Sequence, residues 1–491
     1  GNDLGIFVNF SPDNAIGGTE PGAGNVISGN VSLNININGV DASGNTFQGN
    51  YLGTDATGTV ALENGRAMLI ADAPDNTIGG TQSGARNVIS GNLPGISVEG
   101  PTATGNVIQG NYVGVDVTGS APLGNRGATI RFTTGASNNT VGGTEAGAGN
   151  IIANSSWVGI GVFPDAGTGN RILGNAIYDN GALGIELNRD GVTLNDEGDV
   201  DTGPNNLQNF PTLITAAASG SGAVIKAELR SVPSSSFLVD FFSNLVCDEE
   251  GHGEGRTPLG SMTVSTDAGG VGTAIAAFPN IAGNIVTATA TDADGNTSEF
   301  SQCLGLATLG VAPTPSTQTV TQGESASYAI SVSAEGGRFD ETVSLSCSGA
   351  PSQAICTFDQ DQITLVDGQA SATMTVTTSA PATTAAPASA GPVLTGTRGG
   401  PPWIWLGVAL VLLAGIGFWR RLGTAALEPA TSAVGGLGRG VAAPSIVGWA
   451  LVTVFCGLFF LFQASCGTDG TSPPTGGTPT GTYELTITAT W

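Results

Sequence analysis

The chain has 491 residues, of which 14 are Lys or Arg and 39 are Asp or Glu, so its formal net charge is −25 at pH 7. Only 11% of the residues are charged, while 77 are glycine, a composition with many turns and few solvated charges. Nucleic-acid binding requires clustered Lys and Arg that contact phosphates, so we expect no nucleic-acid partner.

The first 195 residues carry an internal repeat. Ile16, Ile78 and Val141 occupy equivalent places (78 − 16 = 62 and 141 − 78 = 63). Within each copy a Gly-Asn pattern recurs about every 20 residues, at Asn25, Asn45, Asn87, Asn106, Asn150 and Asn170. A unit of that size cannot bury a core alone, so neighbouring units must stack. We predict about eight or nine coils in a rod about 40 Å long.

Two columns of residues that follow these asparagines predict strands. The second residue after each asparagine is always apolar: Ile27, Phe47, Ile89, Ile108, Ile152 and Ile172. The residue between each asparagine and this apolar position can also be Thr or Arg. This second column is Val26, Thr46, Val88, Val107, Ile151 and Arg171. Alternation with period two is typical of a strand with one buried face, and no helical period is sustained here. We expect the always-apolar column to point inward.

The repeat sequences also resemble a known family. Asn76-Thr77-Ile78-Gly79-Gly80-Thr81, Arg86-Asn87-Val88-Ile89-Ser90-Gly91-Asn92 and Gly105-Asn106-Val107-Ile108-Gln109-Gly110-Asn111-Tyr112-Val113-Gly114 resemble the right-handed parallel β-helix repeats of bacterial cell-surface proteins. The resemblance covers residues 1–195. It implies an all-β fold with a right-handed parallel β-helix of the pectin-lyase type, and it is much less specific for function.

Asp55 and Asp116 occupy equivalent positions in the repeat, and Arg66, Arg126 and Arg131 lie near them in sequence. A polysaccharide lyase would need Ca²⁺-binding aspartates and an arginine or lysine base. Catalytic residues should break a repeat, because one site serves the whole molecule, whereas these aspartates follow it. An Asp-x-x-Gly string in each copy is typical of a repeated turn. We therefore predict turns here, with catalysis by these residues as the alternative.

Tyr51 and Tyr112 are likewise equivalent residues of the repeat. Aromatic rings that recur along a rod can stack on sugar rings, which makes these two the candidate ligand-binding residues. Ordinary packing explains them more simply.

The repeat ends in an acidic stretch, residues 195–206, that is rich in Gly and Asn. Asp196, Asp199, Asp201 and Asn205 could converge on Ca²⁺, which prefers carboxylate and carbonyl oxygens on a flexible turn. No EF-hand spacing is present, and a solvated linker that closes the end of the rod is the simpler interpretation.

Residues 196–306 are expected to hold this linker and a β-sandwich, because short alternating runs lie between turn signals. Residues 205–211 and 290–301 are similar to the immunoglobulin-like module that often follows such β-helices. Within the second of these stretches, Asp292, Asp294 and Asn296 look like further calcium ligands. A tight turn explains all three more simply.

His252 is the only histidine of the chain and stands in a Gly-His-Gly string. Polygalacturonases, which are β-helix enzymes, carry a catalytic string of that kind. Their histidine lies on the β-helix beside several aspartates, whereas His252 lies well past the last coil. We predict a solvated loop histidine.

A second immunoglobulin-like domain is predicted at residues 307–380, followed by a linker, 381–402, rich in Ala, Thr, Pro and Gly. Four cysteines pair plausibly within single domains, Cys247 with Cys303 and Cys347 with Cys356. Disulfides imply an oxidising compartment.

Two apolar stretches without charges, 403–419 and 446–462, are close to the lower length limit for crossing a bilayer, and we predict two transmembrane helices. Arginines in the loop between them, 420–445, place that loop in the cytoplasm by the positive-inside rule. The β-rich region and the tail, 463–491, would then face outward, with the tail ending in a strand. The predicted location is the cell membrane, with the β-rich region at the cell surface.

The chain opens inside a coil without an initiator Met and stops inside an apparent strand, so we expect further sequence at both ends. The predicted function is a membrane-anchored surface protein that binds an extracellular polysaccharide or a cell-surface ligand along its rod, without catalysis. A polysaccharide lyase or glycoside hydrolase is one alternative, and a purely structural spacer is another.

Overall fold

The computed structural model describes residues 1–381, 462–466 and 476–491. Residues 1–195 form a parallel β-solenoid, which confirms the predicted all-β repeat. Its strands are β1 (Leu4–Asn9), β2 (Ala15–Gly17), β3 (Val26–Ile27), β4 (Leu33–Asn38), β5 (Thr46–Gln48), β6 (Tyr51–Leu52), β7 (Arg66–Ala71), β8 (Thr77–Gly79), β9 (Val88–Ile89), β10 (Ile96–Glu99), β11 (Val107–Gln109), β12 (Tyr112–Val113), β13 (Ile130–Thr133), β14 (Thr140–Gly142), β15 (Ile151–Ala153), β16 (Ile160–Val162), β17 (Arg171–Leu173), β18 (Ala176–Tyr178) and β19 (Ile185–Leu187).

Each coil contributes one strand to each of three parallel sheets. The first sheet has the order β1-β4-β7-β10-β13-β16-β19, the second β2-β5-β8-β11-β14-β17 and the third β3-β6-β9-β12-β15-β18. The chain therefore completes six coils and begins a seventh with β19. At the usual strand spacing this is a rod about 30 Å long.

Each coil is longer than the roughly 20 residues that the repeat pattern predicted. Leu4 pairs with Leu33 and Leu33 pairs with Arg66, so successive coils contain 29 and 33 residues (33 − 4 and 66 − 33). The 62-residue repeat is consequently two coils, and the expectation of eight or nine coils of about 20 residues is wrong. The reason is that the asparagines taken as one column belong to two corners of the coil.

Two ladders of asparagines mark these corners. In each ladder the side-chain Nδ2 donates to the Oδ1 of the next coil, over 2.8 to 3.2 Å. The first ladder is Asn14, Asn45, Asn76, Asn106, Asn139 and Asn170, and the second is Asn25, Asn50, Asn87, Asn111, Asn150 and Asn175. The predicted series alternates between the two, because the second corner of one coil lies about 20 residues before the first corner of the next, as at Asn25 and Asn45 (45 − 25 = 20).

The inward column is confirmed. Phe47, Ile89, Ile108 and Ile152 are fully buried and Ile172 is 3% exposed, while Ile27 of the first coil packs partly buried against the same core. The neighbouring column faces outward on the second and third sheets and is at least partly exposed at five of its six positions. Val88 is the exception at 1% exposed.

A first β-domain follows the short 3-10 helix Pro204–Leu207. Its strands are β20 (Thr212–Ser219), β21 (Gly222–Arg230), β22 (Ser236–Asn244), β23 (Thr257–Ser265), β24 (Val271–Phe278), β25 (Ile285–Thr291) and β26 (Leu304–Gly305). They form two antiparallel sheets, β20-β21-β24 and β23-β22-β25-β26, that share one apolar core.

The first β-domain closes the open end of the solenoid. Phe242 and Phe300 lie in the solenoid core, with their rings edge to face and centroids 5.2 Å apart. Main-chain N–H groups of the last coil have no further coil to pair with and donate to side-chain oxygens of Asn205, Asp240, Glu254, Asn296, Thr297 and Glu299. Unpaired sheet edges favour aggregation, so this cap protects the last coil.

A second β-domain is built from β27 (Thr308–Thr314), β28 (Thr317–Val320), β29 (Ser325–Glu335), β30 (Thr342–Ser348), β31 (Ile355–Phe358), β32 (Gln362–Thr364), β33 (Gln369–Thr377), β34 (Phe462–Cys466) and β35 (Thr482–Thr490). Its two sheets have the orders β27-β29-β33-β31 and β28-β34-β35-β30-β32. The strand expected in the tail is β35, which pairs with β30 and adds Leu485, Ile487 and Ala489 to the core of this domain.

The predicted fold class included two transmembrane helices, and this part of the prediction needs a correction. In the described part of the chain the helices are two short 3-10 turns, Ser83–Ala85 and Pro204–Leu207, and neither could cross a membrane. Phe462, the last residue of the second predicted span, begins strand β34. A short apolar run does not distinguish a spanning helix from a buried strand. Residues 382–461, with the predicted linker, loop and the rest of both spans, lie outside the described residues.

Candidate functional site

Asp55 and Asp116 each organise a turn. Oδ1 of Asp55 accepts from the main-chain N–H groups of Thr59 and Val60, both at 3.2 Å, and from the hydroxyl of Thr57 at 2.8 Å. The same pattern recurs at Asp116, where the Thr118 hydroxyl donates at 2.6 Å. The hydroxyl of Thr57 lowers the pKa of Asp55, and at Asp116 hydrogen bonds outweigh burial and lower the pKa too. This is the geometry of a repeated turn.

The arginines near these aspartates in sequence are engaged elsewhere. Arg66 and Arg131 lie on the outer face of the first sheet and both bind Glu99, at 2.8 and 2.9 Å. Arg126 binds Glu63 at 2.9 Å. Within residues 1–381, neither aspartate pairs with an arginine, so the structure does not bring together the acid, metal and base that a lyase would need.

The loops that carry the two aspartates close over the third sheet. Val88 lies between Tyr51 and Tyr112 in that sheet, and Val117 of one loop donates to the carbonyl of Gly58 in the other at 3.0 Å. The loops leave from alternate coils and meet above the coil between them. This contact accounts for the burial of Val88.

Tyr51 and Tyr112 are half-buried by the same loops. Gly58 packs against the ring of Tyr51, and a Cβ at Gly119 would lie only 2.6 Å from Cζ of Tyr112. Their rings are therefore packed on one side by their own coil, and only the remaining surface is open to a ligand.

A row of notches runs along the corner between the second and third sheets. The turns at this corner alternate between long ones, at residues 18–24, 80–86 and 143–149, and tight ones at Gly49, Gly110 and Gly174, which have φ angles of +68°, +66° and +61°. The tight corners at Gly49 and Gly110 each lie between two long turns, and the one at Gly174 lies between a long turn and β23, so each forms a notch with a glycine floor. Neighbouring notches are two coils apart, about 10 Å.

Two of these notches are open. The one at Gly49 has a volume of about 290 Å³ and is lined by Tyr51, Arg86 and Val88. The one at Gly174 has a volume of about 410 Å³ and is lined by Ile151 and by part of β23. Both therefore have an apolar wall and a floor without a side chain.

Arg86 occupies the middle notch. Its Cζ lies 4.0 Å from the ring centroid of Tyr112, and its Nε donates to the carbonyl of Gly110 at 3.1 Å. Stacking of a guanidinium on an aromatic ring is favourable, so this side chain is held in a fixed position. Arg86 lines the Gly49 notch as well, and it connects the two sites.

Three of the four predicted calcium ligands meet at the end of the solenoid. Asp196, Asp199 and Asp201 each place a carboxylate oxygen within 4.8 Å of the others. The Oδ1 atoms of Asp196 and Asp201 are inaccessible to solvent and accept no hydrogen bond. Burial raises the pKa of Asp199 to about 6, and burial together with the charge of Asp196 raises the pKa of Asp201. Within the part of the chain that the structure describes, no Lys or Arg forms an ion pair with these carboxylates.

Asn205 does not join them. Its Oδ1 accepts from the main chain of Asn170 at 2.9 Å and its Nδ2 donates to the carbonyl of the same residue at 2.7 Å, so it ends the first ladder. The turn at 292–296 is closed by Asn296, which donates twice to Asp292. Oδ1 of Asn296 also caps the last coil by accepting from Gly169 at 2.7 Å.

His252 lies away from the solenoid faces, as the sequence indicated. Its ring packs edge-on against Phe210, with centroids 5.1 Å apart, and it lines a cavity of about 800 Å³ beside Cys303. The structure places neither Asp55 nor Asp116 in that cavity.

Both predicted disulfides are confirmed. Cys247 bonds to Cys303 and Cys347 to Cys356, with Cα atoms 6.1 and 6.3 Å apart. The second disulfide joins β30 to β31, which belong to different sheets, so it connects the two layers of the second β-domain.

Sequence reasoning missed Arg86 and the glycine floors. The signal was present, because long and tight corners alternate within the 62-residue repeat, but it is visible only once that repeat is divided into two coils.

No family model and no curated protein matches this chain. A solved structure described as "Crystal structure of protein of unknown function from Porphyromonas gingivalis W83" aligns with 34% of this chain and 80% of its own, at 11% sequence identity. The TM-score of that alignment is 0.11, too low to carry an argument about fold or function.

Proposed function

We propose that the solenoid binds an extracellular polysaccharide along its row of notches, without catalysis. The observation that supports this most is the recurrence of one notch every second coil along a single corner. A polymer repeats its own units, so one chain can occupy several notches and gain avidity from each. A monomeric ligand would need only one notch.

The chemistry of the notches favours sugars. A glycine floor has no side chain, so a sugar can approach the main chain closely and its hydroxyls can donate to carbonyl groups there. Tyr51 offers the edge of an aromatic ring beside Val88, and Ile151 offers an apolar wall in the second open notch. The net charge of −25 favours a neutral polymer, because a strongly anionic one would be repelled.

The proposal is tested by retention of the full chain on a panel of immobilised neutral and acidic polysaccharides, with new reducing ends assayed in the same samples. Tyr51→Ala and Ile151→Arg should each weaken retention about tenfold, because one removes a wall and the other fills a notch. Thr77→Arg is the matched control, since it adds the same side chain to the outer face of the second sheet and should change nothing.

New reducing ends would instead make this face an active site. No retention on any polymer, or equal loss in the Thr77→Arg control, would reject glycan binding at the notches and leave the rod as a spacer.

We also propose that Asp196, Asp199 and Asp201 bind Ca²⁺ and fix the joint between the solenoid and the first β-domain. Buried carboxylate oxygens without partners are costly, and a hard cation would compensate them. Titration calorimetry of the full chain with Ca²⁺ should show one site that Asp201→Asn removes. Asp294→Asn, in the exposed turn that also resembles a calcium site, should bind as the parent does. Binding that survives Asp201→Asn would reject these ligands.

We further propose that both β-domains are immunoglobulin-like and that the protein acts at the cell surface. The two disulfides support an oxidising location. Detection of the β-rich region on intact cells by protease accessibility would test the location, and protection from protease would contradict it.

A further inference from the structure

We propose that the cap of the solenoid is a pH-sensitive joint, tight when Glu299 and Glu186 are protonated and loose when both are ionised. The joint lies between the first β-domain and the last coil. The proposal rests on residues other than those of the glycan and calcium proposals, although the calcium proposal concerns the same joint.

Glu299 fastens the first β-domain to the last strand of the solenoid. Its Oε1 accepts from the main chain of Leu187 in β19 and its Oε2 from that of Thr193, both at 2.9 Å. The side chain is 2% exposed. Any loosening of the cap must therefore break two buried hydrogen bonds to this one carboxyl group.

The groups that face Glu299 are acidic. Glu186 of β19 is 5% exposed and interacts with it, and Asp190 from the following loop adds a second negative charge. The main chain of Asp190 donates to Oε1 of Glu186 at 3.1 Å. Arg189, the basic residue of that loop, stacks over the ring of Trp157 with its Cζ 5.0 Å from the centroid. Among the described residues, neither Glu299 nor Glu186 forms an ion pair.

Burial beside other acidic groups raises the pKa values of Glu299 and Glu186 into the neutral range. Burial, with a smaller contribution from the charges of Glu186 and Asp190, raises the pKa of Glu299 to about 8, although the hydrogen bonds from Leu187 and Thr193 lower it. Burial likewise raises the pKa of Glu186 to about 7, with Asp190 adding to the effect. Above about pH 8 the two carboxylates would be ionised side by side, and among the described residues neither has a cation as partner.

The sign of the effect follows from linkage. Both pKa values in the closed joint lie above the ordinary value of 4.5, so closure binds protons. The stabilisation is complete below about pH 4.5 and is lost as the pH rises through about 7 to 8. The joint should therefore open on the alkaline side, opposite to ordinary acid denaturation.

A third carboxyl group, that of Glu254, also stabilises the closed joint at low pH. Oε1 of Glu254 accepts from the main chain and the side chain of Asn180, at 3.1 and 2.8 Å, and burial raises its pKa to about 7. Asp248 faces it, while Arg256 is engaged by Asp179 at 2.9 Å.

The test is hydrogen exchange of the full chain, followed on peptides that cover residues 180–195 and corrected for the intrinsic rate. Protection should fall at least about tenfold between about pH 5.5 and about pH 8.5. Glu299→Gln, which mimics the protonated acid, should make that fall at least about threefold smaller, because only Glu186 and Glu254 then titrate at the joint. Glu335→Gln, an exposed residue of the second β-domain, is the matched control and should behave as the parent does.

If Glu299→Gln does not fold, Glu186→Gln serves instead, because it removes the facing charge without removing an acceptor of the cap. Protection that is constant with pH in the parent chain, or an undiminished fall in the variant, would overturn the proposal.

Discussion

At the scale of single residues, the asparagine ladders fix the register in which successive coils of the solenoid stack. Asn106 is fully buried, donates to Asn139 and to the carbonyl of Ala73, and accepts from Asn76. The sequence shows that such asparagines recur, but it does not show which of them stack, because stacking depends on the strand register. The three aspartates at 196, 199 and 201 were named from sequence, whereas Asn205 was assigned to them wrongly, since a ladder end and a metal ligand have the same composition.

Asn106→Ala should therefore be strongly destabilising. It leaves the N–H of Asn76 and the carbonyl of Ala73 buried without partners, at about 1 to 3 kcal/mol each in the free energy of unfolding. Urea denaturation followed by circular dichroism measures the change. Asn9→Ala, at an exposed side chain of the first coil, should cost much less, and an equal cost at both positions would contradict the role of the ladder.

At the scale of strands and loops, the inward column and the strands were predictable because period-two alternation follows directly from the pleat. The coil length and the closure of two loops over Val88 were not, because they depend on contacts between residues about 30 and about 60 positions apart. The notches escaped prediction for the same reason. Phe462 was expected at the end of a spanning helix and begins a strand instead, since a short apolar run alone suits either environment.

The loop packing can be tested at Gly119, which has a φ of +75° and lies against the ring of Tyr112. Gly119→Ala should lower the free energy of unfolding by about 1 to 3 kcal/mol more than Gly22→Ala does. Gly22 has a similar φ of +83° but has nothing within 4 Å of the position of a Cβ, so it reports backbone strain alone. Equal losses in thermal or urea unfolding would show that the loop does not press on the ring.

At the scale of the whole molecule, a solenoid that repeats one surface is closed by a domain that supplies both an apolar plug and hydrogen-bond acceptors. Phe242 and Phe300 enter the solenoid core while Glu299 and its neighbours satisfy the last coil, so the cap and the rod are one packed structure. No sequence pattern predicts these contacts, because many of them join residues more than 60 positions apart. The repeat itself is visible in sequence, and it is the feature on which the proposed function depends.

The most direct measurement is the affinity of the full chain for a series of oligosaccharides of increasing length, prepared from the polymer that it retains best. The open notches at Gly49 and Gly174 are four coils apart, about 19 Å. Affinity should rise steeply once an oligosaccharide is long enough to reach both, and Ile151→Arg should abolish that rise while leaving short oligosaccharides bound. An affinity that does not depend on length, or the absence of binding, would contradict a polymer site along the rod.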